Sequence, residues 1–158
     1  MSYTNADGLF TITQNAQGGV RDNGLNASNG IKTLVLEIKD ATTLGTAADD
    51  PQPNDSFIPA GSYITKASLV VTTAFTSGGS ATLSIGLQNA AGGDIAAVGI
   101  DQTIAVAALT ANKAVVCNGT SVGGTATVGT ANAYLSLVYG TAAFTAGAGK
   151  LVIEYIEV

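Results

Sequence analysis

Glu37, Glu154 and Glu157, the aspartates at 49, 50 and 55, and the lone Cys117 are the residues whose types could carry chemistry in this chain. Two carboxylates can act as acid and base, or acid and nucleophile, when a cleft holds them about 5 to 9.5 Å apart. Here the three glutamates fall on strand-like segments or at the chain end, where outward, solvated side chains are expected. The aspartate loop supplies oxygen ligands of the kind calcium takes. Pro51 and Pro53 interrupt it, and the spaced D-x-[DN]-x-[DN]-G pattern is missing, so it reads as a solvated loop. A single cysteine can form neither an internal disulfide nor a metal site by itself, and Cys117 is expected as a small buried hydrophobe.

What is missing narrows the field further. The chain has no histidine, which removes Ser-His-Asp, Cys-His and histidine-ligated zinc as intrachain sites. Glycine pairs at 18–19, 78–79, 92–93 and 123–124 lack the lysine-bearing helix of a phosphate loop and read as turns. Asn118-Gly119-Thr120 matches a glycosylation acceptor, which has consequences only in a secreted chain. Tyr63, Tyr134, Tyr139, Tyr155, Phe57, Phe75 and Phe144 could build a carbohydrate platform if several faced solvent together. Most occupy core-side positions, and tryptophan, the ring best suited to stacking, is absent. No catalytic, cofactor-binding or metal-ligating residue is assigned, no cofactor is expected, and the chain reads as non-enzymatic.

Composition bounds the partners. With 6 basic against 11 acidic residues, the chain lacks the positive field that nucleic acid or an anionic membrane would require. The opening MSYTNADGLF has neither the basic nor the apolar segment of a secretory signal, and no apolar run approaches the roughly 20 residues of a membrane span. Synthesis in a cytoplasm is therefore expected. Charged residues are 11% of the chain, against about 25% in an average domain, and Gly, Thr, Ser, Asn and Ala take their place. A surface so weakly charged, with mean hydropathy +0.35, points to apolar area covered by partners or by further copies. Many of the apolar residues are alanine, so a thin core of small side chains is expected.

The elements that would position these residues are strands. Residues 1–30 carry one short apolar alternation, Leu9 to Ile12, among Asn, Asp and Gly, and read as an extended arm. In IKTLVLEIKD, Leu34, Leu36 and Ile38 share one face with the period of two of a half-buried strand. The segment ATTLGTAADDPQPNDS reads as a surface loop, and Pro59 with Gly61 as a turn. The next strand sets Tyr63, Ala67, Leu69, Val71 and Phe75 on one face. TSGGS then predicts a hairpin to ATLSIGLQN, where Leu83, Ile85 and Leu87 alternate. NAAGGD turns again, and IAAVGI with QTIAVAAL fits either strands or a short helix. KAVVCNG is a short strand, and TSVGGTATVGTAN a flexible connection or edge strand. Leu135, Leu137 and Tyr139 alternate on AYLSLVYG, TAAFTAGAG reads as a turn, and Leu151, Ile153 and Tyr155 alternate on the closing strand.

No segment of 12 or more residues shows a helical period. The expectation is an all-β, single-domain antiparallel β-sandwich, jelly-roll-like, of about eight strands over residues 31–158, preceded by the extended N-terminal arm, 1–30.

Several segments carry a resemblance. Ile58, Pro59 and Gly61 form an I-P-x-G corner, Val71 to Phe75 read VTTAF, and Ala81 to Gly86 read ATLSIG. Phe144 to Gly147, with Lys150, Ile153, Glu154 and Tyr155, make the ending FTAG…K…I-E-Y. Together they resemble the small head decoration, or cement, proteins of tailed bacteriophages, over a stretch running from about residue 57 to the end. The sequence departs from the closing pattern by inserting Ala148 and Gly149 before the lysine.

The resemblance implies a structural protein on the outer capsid surface of the virion, bridging neighbouring major capsid protein subunits and performing no reaction. It implies the major capsid protein as partner and self-association as a homotrimer, with a dimer as second choice, and no nucleic acid or membrane contact. Leu9, Phe10, Thr11 and Ile12 are the expected capsid-contact residues, because an extended arm can add a strand to an exposed sheet edge. The alternative is a fibre or adhesin module that binds host-surface glycans, which would expose aromatic rings in a groove.

Overall fold

In the computed structural model the described residues are 3–4, 10–11, 30–45, 57–124 and 126–158. The chain divides into two units, 1–30 and 31–158. In the first, β1 (Tyr3–Thr4) and β2 (Phe10–Thr11) pair antiparallel, with Tyr3 opposite Thr11 and Thr4 opposite Phe10. Apart from residue 30, the remainder of the arm predicted over 1–30, Leu9 and Ile12 included, lies outside the described residues, as does the aspartate loop at 49–55.

Among the described residues, the second unit contains eight strands: β3 (Lys32–Ile38), β4 (Phe57–Ile58), β5 (Tyr63–Ser77), β6 (Thr82–Gln88), β7 (Asp94–Ala105), β8 (Lys113–Val116), β9 (Ala133–Gly140) and β10 (Phe144–Ile156). They form two four-stranded sheets, ordered β3-β10-β5-β8 and β4-β9-β6-β7. Every strand pairing is antiparallel. All successive strands change sheet except β6 and β7, which is the order of a jelly roll. The all-β sandwich expected from the alternation is the fold observed.

The hairpin expected at TSGGS is therefore not one. β5 and β6 lie in different sheets, so that turn is a corner between layers. The hairpin inside one sheet is β6–β7, closed at Asn89, whose side-chain oxygen accepts from the backbone of Ala91 and Gly93 while Gly92 takes a positive φ. A glycine-rich turn reports that the chain reverses, and only contacts distant in sequence select the sheet it rejoins.

Inner faces follow the predicted alternation. Leu36, Leu151 and Leu69 stand level across the first sheet, and Leu83, Ile85, Leu87, Leu135 and Leu137 face them from the second. Each fully buried leucine or isoleucine contributes about 1.5 to 3 kcal/mol relative to exposure. The core is thus not the thin alanine layer expected, since the largest fully buried side chains are Leu and Ile and few alanines join them. Two sheets about 10 Å apart leave a gap that alanine cannot fill.

Three further local readings change, and one left open is decided. Ala41 and Leu44, at the start of the expected surface loop, are buried around a 3₁₀ turn capped by Asp40. Ile64, not Tyr63, points inward, because the pairing of β5 with β10 slips between Glu154 opposite Lys66 and Tyr155 opposite Ile64. The extra residue, Thr65, donates its hydroxyl to the Glu154 carbonyl at 3.1 Å, and this bulge reverses the phase of the strand start. Phe144 to Gly149, expected as a turn, open the long strand β10, and the turn itself is 141–143. The ambiguous alanine-rich stretch is a strand, β7, followed by a 3₁₀ turn at Val106–Ala108.

Candidate functional site

Among the described residues, Glu37, Glu154, Glu157 and Cys117 do not gather into one cluster. Cys117 follows β8 and is 2% exposed, with its backbone N–H donating to Ala67. Burial, followed by the negative charge of nearby Asp101, pushes its thiol up to about 12, so at neutral pH it is a protonated core side chain rather than a nucleophile. Glu37 stands opposite Lys150, four residues along β10 from Glu154. At about 3.4 Å per residue that separation is roughly 14 Å, beyond the reach of a carboxylate pair. Glu157 is held by Lys32 at 2.6 Å. Among the described residues, no cluster of three potential metal ligands occurs, and no helix is long and apolar enough to cross a membrane.

The aromatic residues divide into two groups. Phe75 and Phe144 meet edge to face in the core, with centroids 5.2 Å apart. Phe57 and Tyr134 pair across β4 and β9 at 5.7 Å, tilted by 44°, and Phe57 is 38% exposed. Tyr139 and Tyr155 pack partly buried against the core. No ring platform is assembled among the described residues beyond the Phe57–Tyr134 pair.

Gln88, at the end of β6 between Tyr134 and Asp94, is fully buried with neither amide atom hydrogen-bonded. Of the expected capsid-contact residues, Phe10 and Thr11 form β2, while Leu9 and Ile12 lie outside the described residues.

Among the described residues, one exposed apolar feature on a sheet was not singled out by the alternation pattern. On the outer face of the β3-β10-β5-β8 sheet, Val35, Val152, Ser68 and Val116 stand in one row across all four strands. Val35 is 51% exposed and Val116 68%. In the next row Glu37, Lys150, Val70 and Ala114 stand level, and on the other side Thr33, Glu154 and Lys66. Opposite charges thus face each other across strands on both sides of the valines. Yet none of Glu37, Lys150, Glu154 and Lys66 forms an ion pair among the described residues, where Lys32–Glu157 is the one such pair. The available signal was valine at the outward phase of β3, β5 and β8, where Thr would satisfy strand propensity as well.

No family model matches the chain, and no curated protein matches it. Among solved structures, a chain from the capsid of Ralstonia phage GP4 is similar at TM-score 0.55 and 16% identity, covering 89% of this chain and 90% of that one. A chain from the capsid asymmetric unit of cyanophage Pam1 is similar at TM-score 0.51 and 14% identity, covering 93% of this chain and 99% of that one. At these identities the likeness is one of fold, and it spans nearly the whole length of each chain.

Proposed function

We propose that this chain is a structural protein of a tailed-bacteriophage virion that decorates the outer capsid surface and cements it by bridging neighbouring major capsid protein subunits. The observation that supports this reading is a likeness of fold, over about nine-tenths of the chain, to chains from two phage capsids. The distance between Glu37 and Glu154 and the buried, protonated Cys117 agree with it, because holding a shell together requires surfaces and no reaction. In this role the chain is made in the host cytoplasm and ends on the virion exterior. Its partners are the major capsid protein and further copies of itself, as a homotrimer or a dimer.

Residues 1–30, with Leu9, Phe10, Thr11 and Ile12 at their centre, supply the capsid contact. Strand addition by such a segment gains most once the sandwich has already docked, because the second contact then forms at high effective concentration. The test is quantitative mass spectrometry of purified particles, with the full chain and with residues 1–25 deleted. A copy number matching a capsid symmetry class, and its fall on deletion, supports the reading. Absence from particles overturns it, and unchanged occupancy after deletion removes the arm from the contact.

The partly exposed Phe57–Tyr134 pair favours one alternative, a fibre or adhesin module binding host-surface glycans. Binding of host polysaccharide that is lost in Phe57→Ala would select it.

A further inference from the structure

We propose that the outer face of the β3-β10-β5-β8 sheet is a self-complementary docking surface that takes a second copy of this chain, face to face, about a two-fold axis. Valine on an outer face has a local reason in strand propensity, so exposure alone decides nothing. The pattern around the valines identifies the occupant.

The axis runs parallel to the strands, midway between β10 and β5, at the centre of the four-stranded order. Rotation about it exchanges β3 with β8 and β10 with β5 while keeping each row level. Glu154 then faces Lys66 of the partner subunit, and Lys66 faces the partner's Glu154. Val35 lies over the partner's Val116 and Val116 over the partner's Val35, covering the two most exposed strand valines of this sheet. Lys150 meets the partner's Val70, where its methylene stem covers apolar surface and its ammonium reaches the rim. Glu37 meets the partner's Ala114. No like charges are stacked.

A face on which Glu154 and Lys66 fall on each other under its own two-fold operation, with neither in an ion pair among the described residues, is complementary to itself along that row. Two such faces would pack as aligned sheets about 10 Å apart, and Glu154 and Lys66 are long enough to meet across that gap.

The charged and valine rows cover an area of about 19 by 17 Å, which places the contact at the small, transient end of protein interfaces. It therefore forms in proportion to concentration, and copies held close together on one surface would meet far more readily than copies in solution. The contact does not depend on the capsid reading, and of the two oligomers named above it supports the dimer.

Sedimentation velocity of the full chain over a concentration series tests it. The expected result is a monomer–dimer equilibrium that Val116→Glu shifts to monomer with an unchanged melting temperature, since Val116 is largely exposed in the single subunit. Lys66→Glu and Glu154→Lys should each weaken association about tenfold, and the double variant should recover it. A chain that stays monomeric at millimolar concentration, a trimer untouched by these variants, or a double variant without recovery overturns the proposal. Failure of the protein to bind particles would leave the dimer measurement unaffected, so the two readings fail separately.

Discussion

Gly147 sits against the ring of Phe75 so closely that a Cβ on the glycine would lie 2.5 Å from the ring's Cγ. The same glycine holds φ at +148°, and the pairing of β10 with β5 shifts on either side of it. The contact explains how β10 bends over Phe75, and why Phe75 and Phe144 can meet edge to face beneath the bend.

Gly147→Ala should therefore destabilise the sandwich by about 2 to 4 kcal/mol, combining a strained backbone with overpacking. Chemical denaturation of the variant and the parent checks this. A loss below 0.5 kcal/mol, roughly the scatter of an ordinary surface substitution, would show that the ring moves aside freely.

Gln88 offers a change in the opposite direction. Its amide is fully buried without a hydrogen bond, so folding desolvates it with nothing in return. Gln88→Met keeps the shape and removes the polar atoms, and should raise stability by about 1 to 3 kcal/mol. A lowered melting temperature would contradict the account.

Cys117 predicts a pH dependence. Its folded thiol titrates near 12, above the value of about 9 for an unfolded thiol. Below pH 9 both states hold the proton and the full stabilisation is present. Between pH 9 and about 12 the unfolded chain ionises first, so stability falls. Cys117→Ala should remove that part of the alkaline slope. An aromatic disulfide reagent should label the thiol only in denaturant, and fast labelling of the native protein would show that the site opens.

Asp40 predicts the acid side. Its carboxylate accepts from the Thr42 hydroxyl at 2.7 Å and from the Thr42 backbone N–H at 2.9 Å, and these bonds lower its pKa. A lowered folded value means stabilisation that is present above about pH 4 and lost as pH falls through the folded pKa. Asp40→Asn keeps an acceptor without the titration, so its stability should decline less on acidification. Parallel acid melts of the two proteins would show the difference, and identical slopes would remove Asp40 from the account.

The candidate surface shows where a reading of alternation stops. Leu34, Leu36 and Ile38 were legible because one face of a strand must leave water. The same pattern places Val35 on the other face without saying that Val152 and Val116 share its row. That row exists because β10 lies between β3 and β5, and β8 beyond β5, a neighbourhood in which Val35 and Val152 are more than a hundred residues apart in the chain. Charge complementarity across a two-fold axis is further still from local sequence, since it depends on strand order and register together.

By itself the sequence determined the period-two faces, the reversals at Gly61 and Asn89–Gly93, the burial of Cys117 and the absence of histidine chemistry, all of which depend on a residue and its near neighbours. Tertiary structure alone decided that β5 and β6 belong to different sheets, that Thr65 bulges so Ile64 replaces Tyr63 in the core, and that Gly147 clears the Phe75 ring. The physical reason is that alternation selects which face of a strand is buried. The partner strand, its register and its slips are selected by packing between segments that meet only when the chain has closed on itself.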